Sequence, residues 1–263
     1  MSARPPAMTP AELAGGLGSG EVELDTYTDE ELLAVTPHVP DDLRLVPLST
    51  LADADEATRA TALQTAVRSL VARGLVASVA DEDDDVEALE VSGGLALVLD
   101  GLTAPRAVTL ADRDEGAQHA ERVWYAMGTV AVLDHEPLPG GLHRFALRRA
   151  DRAARALAAF LDPHGWAVRD GEALRHRVDR PPPVGWERVD RATEQARVSA
   201  RVFTTGWSPD AAEEREALVA AGPDGVWLLS VDTADGAVVV TAVEVSPASL
   251  LATATAMLTG RAS

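Results

Sequence analysis

The chain has 263 residues, 46% hydrophobic and 25% charged, a globular balance with enough material for a substantial core. A formal net charge of −19 disfavours nucleic acid and anionic membrane as partners, because both require local positive potential. Cysteine is absent, which excludes disulfides, thiolate catalysis and cysteine-held metals.

Aromatic residues make up only 4%, so Ala, Val and Leu must fill the interior, and every basic residue other than histidine is an arginine. Met1 to Pro10 has no apolar core, and no run reaches the ~20 apolar residues that a membrane span needs. The expectation is a soluble, cytoplasmic protein without membrane insertion.

In chain order, Met1 to Gly20 is rich in Pro, Gly, Ala and Ser and reads as a fraying arm, with a short helix over Pro10 to Gly15. Thr28-Asp29-Glu30-Glu31 has capping-box spacing, so a short helix through Leu32, Leu33 and Val35 should end before Pro37. The strongest helix opens at Asp53 to Glu56. Leu63, Val67, Leu70 and Val71 define its apolar face, and Gly74 its C-terminal cap. Asp81 to Asp85 is a charge block that reads as a solvated loop; it lacks the alternating ligands of a calcium loop. Leu95 to Leu102 fits either a short buried helix or a strand. Pro105 breaks it, and Arg106 to Leu110 reads as a strand.

From Glu121 the pattern of one unit occurs twice. Glu121 to Leu161 and Arg215 to Leu258 each run strand, glycine turn, strand, hairpin, strand, helix. The turns fall at Gly128 and Gly222, and the alanine-rich helices at Asp151 to Leu161 and Ser249 to Leu258. Arg197 to Phe203 alternates with period two and precedes the second copy as Arg106 to Leu110 precedes the first. The expected fold is therefore α+β, with two pseudo-twofold-related halves and an antiparallel sheet flanked by helices. Its segments are a flexible arm (1–20), a first half (21–161), a linker stiffened by Arg180 to Pro183 (162–186) and a second half (187–263), packed as one domain.

No residue set announces a reaction, and no catalytic or cofactor-binding residue is assigned. His135, between Asp134 and Glu136, could face His143 across the first hairpin, and two imidazoles with a carboxylate could hold zinc. The alternative is polar residues at a hairpin mouth, and no metal is assigned. His164 and His176 read as surface residues. Gly16-Leu17-Gly18-Ser19-Gly20 follows no strand and lacks the lysine of a phosphate loop. Arg144, Arg148, Arg149, Arg152 and Arg155 are the densest basic cluster, most simply a solvated helix face. Trp124 and Trp227 read as core, whereas Trp166, Trp186 and Trp207 lie near turns and are candidates for a binding face.

The helix ending Ser69-Leu70-Val71-Ala72-Arg73-Gly74-Leu75-Val76, the acidic loop, the break at Pro105 and the second copy ending Val245-Ser246-Pro247-Ala248-Ser249-Leu250 together resemble EspG-type proteins. These are chaperones associated with type VII (ESX) secretion in actinobacteria. The resemblance implies a quasi-twofold α+β fold, no cofactor and a non-enzymatic role as chaperone or adaptor for helical secreted proteins. It transfers no individual contact residue.

Two other readings compete. Thr28 to Leu99 could be a winged helix of a transcription regulator, with Glu56 to Arg73 in the major groove. Arg59, Arg68 and Arg73 are that helix's only positive charges, and Asp81 to Asp85 would face phosphates. A small-molecule binder or enzyme using a concave sheet face is the third reading. Partner identity and oligomeric state are not set by the sequence.

Overall fold

The computed structural model describes residues 17–18, 20–36, 51, 53–79, 88–91, 93–207, 212–234 and 236–259. The readings placed on residues 1–16, among them the Pro10 to Gly15 helix, and on Asp81 to Asp85 lie outside the described residues.

The fold is α+β. Among the described residues, twelve strands and six helices run in the order β1 (Glu21–Thr28), α1 (Asp29–Val35), α2 (Glu56–Ala72), β2 (Val76–Val79), β3 (Ala88–Val91), α3 (Gly93–Thr103), β4 (Ala107–Glu115), β5 (Gln118–Met127), β6 (Ala131–Leu138) and β7 (Leu142–Arg149). There follow α4 (Ala150–Leu161), β8 (Leu174–Arg177), α5 (Glu187–Glu194), β9 (Val198–Trp207), β10 (Ala212–Gly222), β11 (Gly225–Ala234), β12 (Ala237–Glu244) and α6 (Pro247–Thr259). Ten strands form one sheet in the order β1-β7-β6-β5-β4-β9-β10-β11-β12-β8, while β2 and β3 pair as a separate hairpin. Outward from the β4–β9 pair, β5-β6-β7 on one side match β10-β11-β12 on the other. The copies expected at Glu121 and Arg215 thus share one element order, each preceded by a strand and closed by a helix.

Both edges of the sheet are blunted. β1 carries Glu21, Glu23 and Asp25, with a bulge between Glu23 and Thr26, and β8 is only four residues long. Charges, bulges and short edge strands block intermolecular strand pairing.

Packing divides the chain into two compact units, residues 1–105 with 125–149, and residues 106–124 with 150–263. In the first, Thr28 caps α1 through a complete capping box, its hydroxyl accepting from Glu31 N–H and Glu31 accepting from Thr28 N–H. At the far end of α2, Gly74 takes φ +68°; Leu75 N–H donates to Leu70 and Gly74 N–H to Val71, a Schellman closure. The apolar face of α2 differs from expectation at one position. Ala66 and Leu70 are buried with Leu63 and Val67 beside them, whereas Val71 is exposed, because its direction falls past the edge of the stripe. Leu95 to Leu102 is helical, within α3. Leu17, placed in the fraying arm, is buried against Leu97, Ala131 and Leu147.

In the second unit α4 packs on α6, and α6 on β4 and β9. The sheet residues toward them, including Val198, Val202, Val219, Ala221, Val226 and Val239, are buried. The stretch 162–186, expected to be a linker, contains β8, paired antiparallel with β12 from Leu174↔Ala242 to Arg177↔Val239. Leu174 and His176 supply the alternation that a short strand needs, and the prolines fall just after it.

Candidate functional site

The two histidines singled out in the first hairpin do meet, in the first unit. His135 on β6 lies directly opposite Phe145 on β7, and His143 is Phe145's next neighbour on the same face. His135 Nε2 is 2.9 Å from His143 Nδ1. Two residues the sequence reading left out complete the group. Asp29, the first residue of α1, places Oδ1 2.6 Å from His143 Nε2, and the Tyr125 hydroxyl on β5 is 3.4 Å from His135 Nδ1. Asp29, His135 and His143 are each 1–2% exposed. Asp29 reaches the site because β1 lies beside β7, with Tyr27 opposite His143, and α1 begins where β1 ends.

All four imidazole nitrogens are engaged within the group, and the rings sit against aromatic surfaces, His135 stacking on Phe145 at 4.4 Å. The arrangement is a line of hydrogen bonds rather than a chelate, and among the described residues no set of three or more His, Asp or Glu side chains could hold a metal ion. Burial, with the His143 charge second, holds the His135 imidazole well below the ordinary histidine range. Burial alone pushes the Tyr125 hydroxyl above the ordinary tyrosine range.

Beside it lies a second buried polar set. The Glu31 carboxylate accepts from Ser69 Oγ (2.7 Å) and from Arg73 (3.0 and 3.1 Å), tying α1 to the end of α2. Arg73 also donates to the Thr26 carbonyl and stands over the Tyr27 ring. One of the three arginines that a DNA-reading helix would need is therefore tied into the fold. In the other arginine cluster, Arg144 on β7 pairs with Glu136, and Arg148 with Asp134 at 2.6 Å. Arg152 and Arg155 are exposed on α4, as a solvated face requires.

The second unit presents a different kind of site. Register places Leu110 opposite Phe203, Leu218 opposite Leu229, Val231 opposite Val240, and Thr233 opposite Val238, all on one face of the sheet. Val178, just beyond β8, joins them through its N–H to the Val238 carbonyl. α5 covers only one end of this face, where Trp186 and Val189 pack on Ala220, Trp227 and Ala242. Leu229 and Val240 are half-buried against the α5 cluster, Leu110 and Phe203 are half-buried, and beyond α5 Val178 (58%), Val231 (57%) and Val238 (45%) are exposed. On the same face, an Arg201–Glu216 ion pair stands between Leu110 and Phe203 on one side and Leu218 and Leu229 on the other.

Trp186 thus corrects an expectation. It lies near a turn but is 8% exposed, because α5 folds its indole onto the sheet. Trp124 and Trp227 are buried as read, and Trp166 is half-buried, stacked on exposed His164. His176 packs on Trp186 rather than lying on open surface. The side chain of Trp207 lies outside the described residues. The valines were legible as strand residues; which of them helices leave open depends on helix placement.

No protein-family model matches the sequence, and no curated protein matches it. Among solved structures, the chain is similar to the Mycobacterium tuberculosis type VII secretion system chaperone EspG5, solved in complex with a PE25–PPE41 dimer. Sequence identity is 12%, the match covers 90% of this chain and 95% of that chain, and the TM-score is 0.53. The likeness is one of fold. It agrees with the α+β architecture that the EspG resemblance implies. Among the described residues no helix is long and apolar enough to cross a membrane.

Proposed function

We propose that this protein is a non-enzymatic chaperone or adaptor, acting in the cytoplasm, that binds helical substrates of type VII secretion through the open face of β9 to β12. The observation that carries this reading is the apolar stripe Val178, Val231 and Val238, left exposed beyond α5. A soluble chain gains nothing by exposing contiguous β-branched residues unless another surface covers them. Its likeness in fold to a chaperone solved with a bound dimer supports the same reading. The acidic surface would keep the free form soluble and repel acidic competitors.

The test is affinity purification of the tagged chain from its native cell, with mass spectrometry, in parallel with a Val231→Asp/Val238→Asp double variant. Burying each half-exposed valine contributes on the order of 1 kcal/mol, and a carboxylate left unpaired in the interface adds at least as much again. The double variant should therefore bind more than ~100-fold more weakly while keeping the wild-type circular dichroism and melting temperature. Equal recovery of one secreted protein by both chains would place the interface elsewhere. Failure of the wild type to recover any secreted protein would remove the proposal.

A further inference from the structure

The Tyr125–His135–His143–Asp29 line lies in the first unit, whereas the proposed binding face lies in the second, and the binding reading makes no use of the line. Its hydrogen positions follow from its geometry. Ionised Asp29 can only accept, so His143 Nε2 carries a hydrogen and donates to Oδ1 across 2.6 Å. A neutral His143 then has Nδ1 as acceptor, which requires His135 Nε2–H to donate across 2.9 Å. His135 Nδ1 is left to accept the Tyr125 hydroxyl at 3.4 Å. Every donor meets one acceptor, and all donate toward Asp29.

One extra proton can be absorbed. On His143 it reverses the middle bond: Nδ1–H then donates to His135 Nε2, and His135 turns its own N–H toward the Tyr125 oxygen. A second proton cannot be absorbed, because His135 Nε2–H and His143 Nδ1–H would then face each other at 2.9 Å without solvent. Among the described residues, the other ionisable groups around the line are Asp25 and Tyr27 on β1, Glu31 on α1 and Arg73 at the end of α2, with Asp25 beside Arg73. Glu31 and Arg73 pair with each other, and buried Tyr27 has no hydrogen-bond partner for its hydroxyl. Asp134, Glu136 and Arg144 alternate onto the opposite face of β6 and β7. None of these groups supplies a second acceptor for the line.

We propose that this line is a proton-operated lock: carrying no more than one added proton it fastens β1 and the start of α1 to β7, and acidification, by bringing a second proton to the pair of rings, releases them. The lock sits at the point of attachment. Asp29 is the only member of the line on the β1–α1 side, Asp29 N–H donates to the Gly141 carbonyl, and Tyr27 packs edge-on to Phe145. Releasing β1 would turn β7 into a free edge, able to accept a strand.

The sign follows from linkage. His135 is held neutral in the closed form and titrates near the ordinary ~6.5 once exposed, so the open form can take one proton more than the closed form and closure weakens as pH falls through that value. His135 alone shifts the opening equilibrium about tenfold between roughly pH 7.5 and 5.5. Hydrogen exchange of the full chain, corrected for intrinsic rates, should show that loss of protection at residues 21–36 and 142–149. In His135→Gln the pH dependence should vanish; His135→Phe, which keeps a ring against Phe145, replaces it if the Gln variant does not fold. Long-range 15N spectra at about pH 7.5 should show both rings as Nε2–H tautomers, with His119 and His164 as exposed references. Protection unchanged between the two pH values in wild type, pH dependence retained in the His135 variants, or a His135 Nδ1–H tautomer at the higher pH would each overturn the lock.

Discussion

Glu31→Ala removes the buried carboxylate on which α1, α2 and β1 converge. Glu31 is 4% exposed and accepts from Thr28 N–H, from Ser69 Oγ and twice from Arg73. Losing half of the capping box costs about 0.5–1 kcal/mol, and leaving the Ser69 hydroxyl without its acceptor costs about 1 kcal/mol. Stranding one partner of a fully buried ion pair costs roughly 3–5 kcal/mol. Arg73, however, is a third exposed and retains Asp25 at 3.4 Å and the Thr26 carbonyl at 3.1 Å, so its share falls to about 1–2 kcal/mol. The sum is about 3 kcal/mol, or a fall of about 1 M in the urea midpoint for a slope of roughly 3 kcal/mol/M. Glu31→Gln keeps an acceptor for Thr28 N–H and Ser69 and loses only the charge, so it should cost about half as much. Urea unfolding of the three proteins at neutral pH decides it. An Ala variant within about 1 kcal/mol of wild type, or a Gln variant as unstable as Ala, would refute the clamp.

Three further outcomes follow from packing and backbone. Gly101→Ala on α3 brings a Cβ to 2.5 Å from Leu133 Cδ2, in a fully buried contact. An overpacking cost of about 1–3 kcal/mol exceeds the ~1 kcal/mol gained in helix propensity, so thermal unfolding should move down, and a Leu133→Ala background should restore tolerance of the added methyl. Gly74→Ala meets nothing within 4 Å, so its loss is the left-handed backbone alone, about 1 kcal/mol in urea unfolding. Trp186→Ala empties the cluster with Val189, Ala220, Trp227 and Ala242, and should lower the unfolding free energy by about 3–5 kcal/mol. If Trp186 were instead a surface contact, the loss would stay below about 1 kcal/mol.

Most of the fold was legible because its signals are local. Thr28 and Glu31 are three residues apart, Gly74 follows the last turn of its helix, and the two strand–turn–strand–helix runs can be read from apolar stretches and glycines. Leu95 to Leu102 was ambiguous because an all-apolar run has no period to separate helix from strand; length and flanking glycines fit the helix that forms. The strand β8 inside the stretch 162–186, read as a linker, went unread because four residues of alternation do not stand out locally and its pairing with β12 joins distant parts of the chain. The candidate sites depended most on distant parts of the chain. His135 and His143 could be matched across one hairpin, but Asp29 lies 114 residues from His143 and arrives only through the β1–β7 pairing. Trp186 misled for the same reason, since proximity to a turn says nothing about which surface a following helix covers.

The two sites also differ in what their burial implies. The Tyr125–His135–His143–Asp29 line and the Glu31 carboxylate in the first unit find their hydrogen-bond partners within the chain, so they tie β1, α1 and β7 together rather than reaching toward a ligand. Apolar side chains left in water in the second unit specify nothing within the chain. Their energy is realised only when another surface covers them. The first unit therefore carries the polar network that fixes where β1 attaches, and the second carries the open apolar face on which the proposed function rests. A scaffold with charged, bulged or short edges but an open apolar face favours capture by side-chain packing over strand addition. Helices supply such apolar surface without presenting a free backbone edge, which is why the proposed function takes a helical substrate rather than an extended one.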